Sequence, residues 1–195
     1  MRKLLIALTA TFVVVVVSGL YQGFRYQPAA EAAWPGLKVH GGGRSVLYDT
    51  TEFVHRWGSY LFVALLLATA VVWVSSRARR VRPGWGADAS LVVVALAAIA
   101  CVITGPRLRW DQMALWAVTM GDSAFRNLWE LTNVKYVLVG SKELGVDEFR
   151  RSVWVHTAIL PAVIALALGA LWAIVVRSTR PTSVEEPAPP IVSEV

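Results

Sequence analysis

The sequence is poor in charged residues and in cysteine. Asp, Glu, Lys and Arg make up 16% of its 195 residues, against about 25% in an average soluble domain. Hydrophobic residues account for 56% of the chain. The single cysteine, Cys101, excludes a disulfide within the chain, and its place in an apolar run predicts a small packed residue. This composition disfavours an ordinary water-soluble domain and favours a membrane protein.

The hydrophobic residues are concentrated in four runs, at 4–24, 53–74, 89–105 and 153–176. A helix needs roughly 20 apolar residues to cross about 30 Å of hydrocarbon. Three runs reach that length, and the shorter third run continues into an amphipathic segment that we expect at the outer interface. The sequence therefore predicts an all-α integral membrane protein, with a four-helix transmembrane bundle that forms one domain over residues 1–180.

Short basic segments predict the orientation of this bundle. Four arginines lie within 77–82, between the second and third runs, and Arg2 and Lys3 precede the first run. The positive-inside rule places these segments, and hence both termini, in the cytoplasm, for a multi-pass protein of the cell membrane. The basic residues are thus explained by topology and do not indicate nucleic-acid binding. The Pro- and Glu-bearing tail at 181–195 has no periodicity and is expected to be disordered.

The first run has an alternative interpretation as a signal peptide, with cleavage near 29–33. Its length and the aromatic residues that follow it favour a retained helix instead.

Two histidines lie just inside the apolar runs. In the second run, His55 lies shortly after the polar residues 49–52 that precede the run. In the fourth run, His156 lies five positions after Arg151. Both runs enter the membrane from the same side, and a helix rises about 1.5 Å per residue, so the two imidazoles are expected at matching depth. Side chains of this kind inside a membrane are usually functional.

The pair predicts a haem site. A tetrahedral zinc ion needs more ligands, and no cysteine, aspartate or third histidine lies at that depth. A haem needs only two axial nitrogens and apolar walls, and two histidines fill both axial positions, which suits electron transfer. The absence of a CxxCH motif argues against covalent c-type attachment. The expected walls are Leu61, Phe62, Leu65, Leu160 and Val163, with the small residues Gly58 and Gly105. Two unrelated helix-end histidines remain the alternative, and His40 is expected to be a solvated loop residue.

Four segments carry a family resemblance: SGLYQGFRYQP at 18–28, HRW at 55–57, TG followed by WDQ and WAV within 104–118, and RSVWVHTAILP at 151–161. In this combination the chain resembles the N-terminal four-helix haem domain of cytochrome b from quinol:cytochrome c oxidoreductase complexes. It looks most like the shorter chloroplast-type form, and the similarity extends to about residue 181.

The resemblance implies roles for individual residues. His55 and His156 match the ligands of the haem nearer the outer face. Arg151 matches an arginine that neutralises a haem propionate, a role for which Arg56 is a second candidate. Gly105 matches a glycine that lets the haem approach the third helix.

The chain also departs from the family. The family has a second histidine on each of these helices, but the corresponding positions hold Thr69 and either Ala170 or Leu171. One non-covalent b-type haem is therefore expected, and no inner haem. Arg109 replaces a family proline next to Trp110, which argues against a family-type quinol pocket there. The family's quinol-oxidising segment belongs to a C-terminal region that is not recognised in this sequence.

The leading functional hypothesis is a single-haem b-type cytochrome that relays electrons in a larger quinone-linked respiratory or photosynthetic complex. It is not expected to be catalytic alone. Its expected partners are an iron–sulfur protein or a c-type cytochrome, lipid and quinone, and a separate subunit if a quinone site has to be completed. The alternative is a haem-free membrane anchor for other redox subunits. A transporter is disfavoured, because no helix is broken by paired Gly or Pro and no acidic residue lies mid-membrane.

Overall fold

The computed structural model describes residues 1–25, 46–78, 84–109 and 151–178. Within these ranges the chain is helical and contains no β-strand. The elements are α1 (Arg2–Arg25), α2 (Val46–Ala78), α3 (Trp85–Thr104) with a 3₁₀ turn at Gly105–Arg109, a π-helical turn at Val155–Ile159, and α4 (Leu160–Ser178). Several sequence predictions concern residues outside the described ranges: the disordered tail, the amphipathic segment around Trp110 and the solvated His40.

Four helical segments are long and apolar enough to cross a membrane: Arg2–Phe24, Val46–Ser76, Trp85–Thr104 and Arg151–Arg177. The predicted all-α bundle of four membrane helices is thereby confirmed. The second helix begins at Val46, seven residues before the predicted apolar run. Its first turns hold Thr50 and Thr51, whose hydroxyls donate to Val46 O at 2.7 Å and Tyr48 O at 2.9 Å. The helix therefore extends beyond its apolar part into a segment with polar side chains.

The bundle consists of two antiparallel helix pairs. α1 packs mainly along α2, and α3 packs mainly along α4, with smaller contacts between the pairs. The C-terminal ends of α1 and α3 meet the starting ends of their partners, where Ser18 lies beside His55 and Thr104 beside His156. We call this the histidine end of the bundle. The opposite end carries the N-terminus and the start of α3.

The apolar core lies away from the histidine end. Its buried residues are Leu5, Leu8, Phe62, Leu66, Trp73, Ala87, Leu91, Val94, Ala97, Ala98, Ile164, Ala167, Leu168, Leu171 and Val175. Large apolar side chains on the outer surface of each helix stay exposed, for example Val17, Leu67, Ile99 and Leu166. This arrangement suits a lipid surround, in which outward-facing apolar side chains need no protein cover.

Two partly buried polar contacts link helices at the opposite end. Trp73 Nε1–H donates to Asp88 Oδ1 at 2.8 Å and so links α2 to α3. Trp172 Nε1–H donates to Thr9 Oγ1 at 2.9 Å and links α4 to α1. Among the described residues α2 and α3 share few contacts, and the Trp73–Asp88 hydrogen bond is one of them.

Replacing Trp73 with phenylalanine should destabilise the bundle by about 1–3 kcal/mol, because the buried aromatic volume is largely kept while a hydrogen bond to a carboxyl group is lost. Unfolding in detergent, followed by circular dichroism, measures the change. Trp85→Phe is the matched control, since Trp85 is 82% exposed and should tolerate the change. Equal stability of both variants would show that the Trp73–Asp88 bond contributes nothing to the fold.

Candidate metal centre

His55 of α2 and His156 of the π-helical turn face the same region at the histidine end. Their ring centres are 6.3 Å apart and the ring planes are inclined by 71°. A metal ion bound by two imidazoles lies about 2 Å from each ligating nitrogen, which puts the ring centres roughly 6 Å apart. The separation of the rings is thus compatible with one metal ion shared between them. No group of three or more potential metal-binding side chains occurs in the described part of the chain, which disfavours a tetrahedral zinc site there.

A backbone carbonyl orients the His55 ring. Its Nδ1 lies 2.9 Å from Val15 O in α1, and Ser18 Oγ is farther away at 3.4 Å. A carbonyl oxygen can only accept, so Nδ1 carries the proton and donates it. In a neutral imidazole the other nitrogen, Nε2, then holds the lone pair that a metal requires.

A threonine hydroxyl orients the His156 ring. Thr104 Oγ1 lies 2.9 Å from His156 Nδ1 and donates its own proton to Ala100 O at 2.7 Å. Because that proton is already engaged, Oγ1 acts as the acceptor and His156 Nδ1 donates to it. The result is the same as for His55: Nδ1 is held by the bundle, and Nε2 is left as the basic nitrogen.

A glycine next to each of these hydroxyl residues makes room for an imidazole. A Cβ atom at Gly19 would lie 2.7 Å from His55 Cε1, and one at Gly105 would lie 3.0 Å from His156 Cε1. Ser18-Gly19 in α1 and Thr104-Gly105 at the end of α3 therefore form two equivalent hydroxyl–glycine pairs. Each of them contacts the histidine of the helix that packs against it.

The π-helical turn gives His156 its place on the fourth helix. Leu160 N–H bonds to Val155 O, five residues back, where an α-helix would have four. Pro161 accounts for this wider turn, because proline has no N–H and its ring clashes with the carbonyl four residues earlier. The turn rotates the residues before it relative to α4. Such turns are rare and occur frequently at functional sites.

Comparison with known proteins gives consistent similarities. The chain is 26% identical to cytochrome b6 of Heliomicrobium gestii over 161 residues, which cover 80% of this chain and 73% of that protein. It is 32% identical to cytochrome b6 of Amphidinium operculatum over 134 residues, or 61% of this chain and 60% of that protein. For cytochrome b6 of Prochlorococcus marinus strain MIT 9303 the identity is 25% over 164 residues, or 80% of this chain and 71% of that protein. No protein-family model matches the chain.

These similarities, together with the four apolar helices, support a cytochrome b6-type domain.

The other residues predicted for the site occupy different surroundings. Arg151 and Arg56 are both exposed at the histidine end. Gly58 lies at the contact between α1 and α2, where a Cβ atom would come within 2.9 Å of Val15 Cγ2. Leu61 is 53% exposed and faces outward. The structure thus brings together His55, His156 and Gly105, and it places Gly58 and Leu61 away from the ring pair.

Sequence reasoning missed the residues that orient the two rings. These are the Val15 carbonyl and the side chains of Ser18 and Thr104, together with the space at Gly19. A signal for three of these residues was present: a hydroxyl residue followed by glycine occurs at the same end of both odd-numbered helices. The Val15 carbonyl has no sequence signal, because every residue carries a backbone carbonyl.

Proposed function

We propose that this domain is a single-haem b-type cytochrome that relays electrons in a quinol-oxidising membrane complex. The observation that carries the proposal is the histidine pair, with ring centres 6.3 Å apart and each Nδ1 held by a neighbouring helix. His55 and His156 would ligate the iron through Nε2. A haem with two histidine ligands supplies electron transfer, because neither axial position is open to oxygen.

The residues at the family's inner-haem positions support a single haem. Thr69 and Leu171 are both 0% exposed and belong to the most deeply buried side chains of the described bundle. Thr69 donates its hydroxyl proton to Leu65 O at 2.7 Å within its own helix. The apolar core also fills the end of the bundle opposite the histidine end, whereas the two histidines are only half-buried. A second macrocycle at the opposite end would have to displace packed side chains.

The orientation proposed from the basic segments puts the histidine end at the outer face of the cell membrane. Arg151 is exposed at that end, where its guanidinium suits a haem propionate. Arg56 is the second candidate, because it directly follows His55 and is also exposed.

The proposed partners follow from the similarity to cytochrome b6. An iron–sulfur protein or a c-type cytochrome would exchange electrons with the haem at the outer face. Quinone would approach through the lipid, and a separate subunit would complete any quinol-oxidising site. The domain by itself then serves as an electron carrier within the complex.

Purified protein tests the proposal. We expect a reduced-minus-oxidised spectrum of b-type haem, with one haem per chain by haem-to-protein ratio. A ratio of two would contradict the single-haem proposal and would require ligands other than histidine at the opposite end. A colourless but well-folded preparation would support the membrane anchor instead, and would remove electron transfer from this chain.

A further inference from the structure

We propose that Thr104 is a positioning residue for His156, through which one hydroxyl group tunes the strength of a haem ligand. This inference rests on the proposed function and deepens it. It concerns the hydrogen bond at Nδ1, the imidazole nitrogen that would not bind the metal. Such a bond affects a metal through its ligand, without direct contact.

The geometry fixes Thr104 Oγ1 as the acceptor in its hydrogen bond with His156 Nδ1. The residue is 3% exposed, so water does not compete for its hydroxyl. Its proton is donated to Ala100 O at 2.7 Å, with Cys101 O as a more distant acceptor at 3.4 Å. The oxygen lone pair that remains accepts from His156 Nδ1 at 2.9 Å. Rotation of the hydroxyl towards His156 would break its bond to the helix, so the acceptor role is stable.

His55 provides the contrast. Its Nδ1 donates to the backbone carbonyl of Val15 at 2.9 Å, while Ser18 Oγ is 3.4 Å away and donates to Val14 O at 2.8 Å. No side-chain replacement removes a backbone carbonyl. The two histidines are therefore held at the same ring atom by different means: the 2.9 Å hydrogen bond of His156 depends on the identity of a side chain, and the 2.9 Å hydrogen bond of His55 does not.

The expected effect has a definite sign. An acceptor at Nδ1 makes the imidazole a stronger electron donor, and a stronger donor stabilises ferric iron more than ferrous iron. Without the acceptor, haem affinity should fall and the midpoint potential should rise. Loss of such a supporting bond typically weakens metal binding by about 10–100-fold. A tenfold greater loss for the ferric than for the ferrous form corresponds to about 59 mV for a one-electron couple.

The test compares three variants of the full-length chain. Thr104→Val keeps the shape of the side chain without the hydroxyl, and should bind haem about 10–100-fold more weakly at a more positive potential. Thr104→Ser restores the hydroxyl and should return both quantities towards wild type. Thr11→Val is the matched control on α1, because it removes a hydroxyl that donates to Ala7 O of its own helix at 2.8 Å, and it should leave both quantities unchanged. Haem titration and a potentiometric titration of the haem band measure both effects.

The outcomes separate this inference from the proposed function. If wild-type protein binds no haem, the proposed function fails. If wild-type protein binds haem and Thr104→Val matches its affinity and potential, only the role of Thr104 fails. A serine variant that behaves like the valine variant would assign the effect to the lost methyl or to packing, and would also overturn the inference. If Thr104→Val does not accumulate, Thr104→Ala replaces it, and failure of both to fold would make Thr104 purely structural.

Discussion

Replacing either His55 or His156 with alanine should reduce the haem content of the purified protein from one per chain to nearly zero. The physical reason is that, in the proposed site, the pair would supply both axial nitrogens, and each ring is already oriented by a neighbouring helix. With one ring removed, the remaining imidazole binds on one side only, and the chain has no covalent attachment motif that would retain the macrocycle. The haem-to-protein ratio measures this outcome directly.

His40→Ala provides the matched control for the histidine variants. His40 is the third histidine of the chain and lies outside the described residues. The sequence predicts a loop residue at this position, so its removal should leave the haem content unchanged. Gel filtration in detergent shows whether each alanine variant remains folded. A folded His55→Ala or His156→Ala protein with a full complement of haem and an unchanged spectrum would exclude that residue as a ligand.

Gly19→Ala should weaken haem binding strongly, although it adds only one methyl group. The new Cβ atom would lie 2.7 Å from His55 Cε1, closer than atoms of this kind approach. The His55 ring cannot move away freely, because its Nδ1 is bonded to Val15 O. Val15 lies in α1, one turn before Gly19. Displacing the ring breaks that bond and moves Nε2 out of place. We expect haem affinity to fall by about 10–100-fold or more, the effect typical of losing a ligand's supporting contacts.

Gly23→Ala is an unusually close control for the Gly19 substitution. It adds the same methyl group one turn further along α1, where, among the described residues and apart from the backbone of the helix itself, no atom lies within 4 Å of the added carbon. It should leave haem binding unchanged and stabilise the helix by up to about 1 kcal/mol. Gly105→Ala should have a smaller effect than Gly19→Ala, since its nearest ring atom is 3.0 Å away. Equal haem affinities of the Gly19→Ala and Gly23→Ala variants would contradict the close packing of His55 on α1.

Much of the fold could be predicted because membrane insertion imposes strong constraints on the sequence. The length of each apolar run determines whether a helix can cross the bilayer, and all four predicted spans are present. α2 begins at Val46, seven residues before the predicted apolar run, because hydrophobicity marks the part of a helix in lipid and not its end. Thr50 and Thr51 lie in this earlier part, and their hydroxyls donate to carbonyls of the same helix.

The candidate site was only partly predictable. Matching depth on two helices was sufficient to pair His55 with His156, since depth follows from counting residues along a helix. The surroundings depend on how each helix is rotated about its axis, which composition does not encode. A Cβ atom at Gly58 would meet Val15, and Leu61 is 53% exposed, while their places beside the cofactor stay predictions.

The sequence by itself determined that this chain forms four apolar helices and that one histidine lies near the same end of the second and of the fourth. These properties follow from local composition and spacing. Only the tertiary structure decided that Val15 and Thr104 hold the two rings, that Gly19 and Gly105 make room for them, and that a π-helical turn carries His156. Each of these features is a contact between helices or a change of register, and it exists only once the helices have packed against one another.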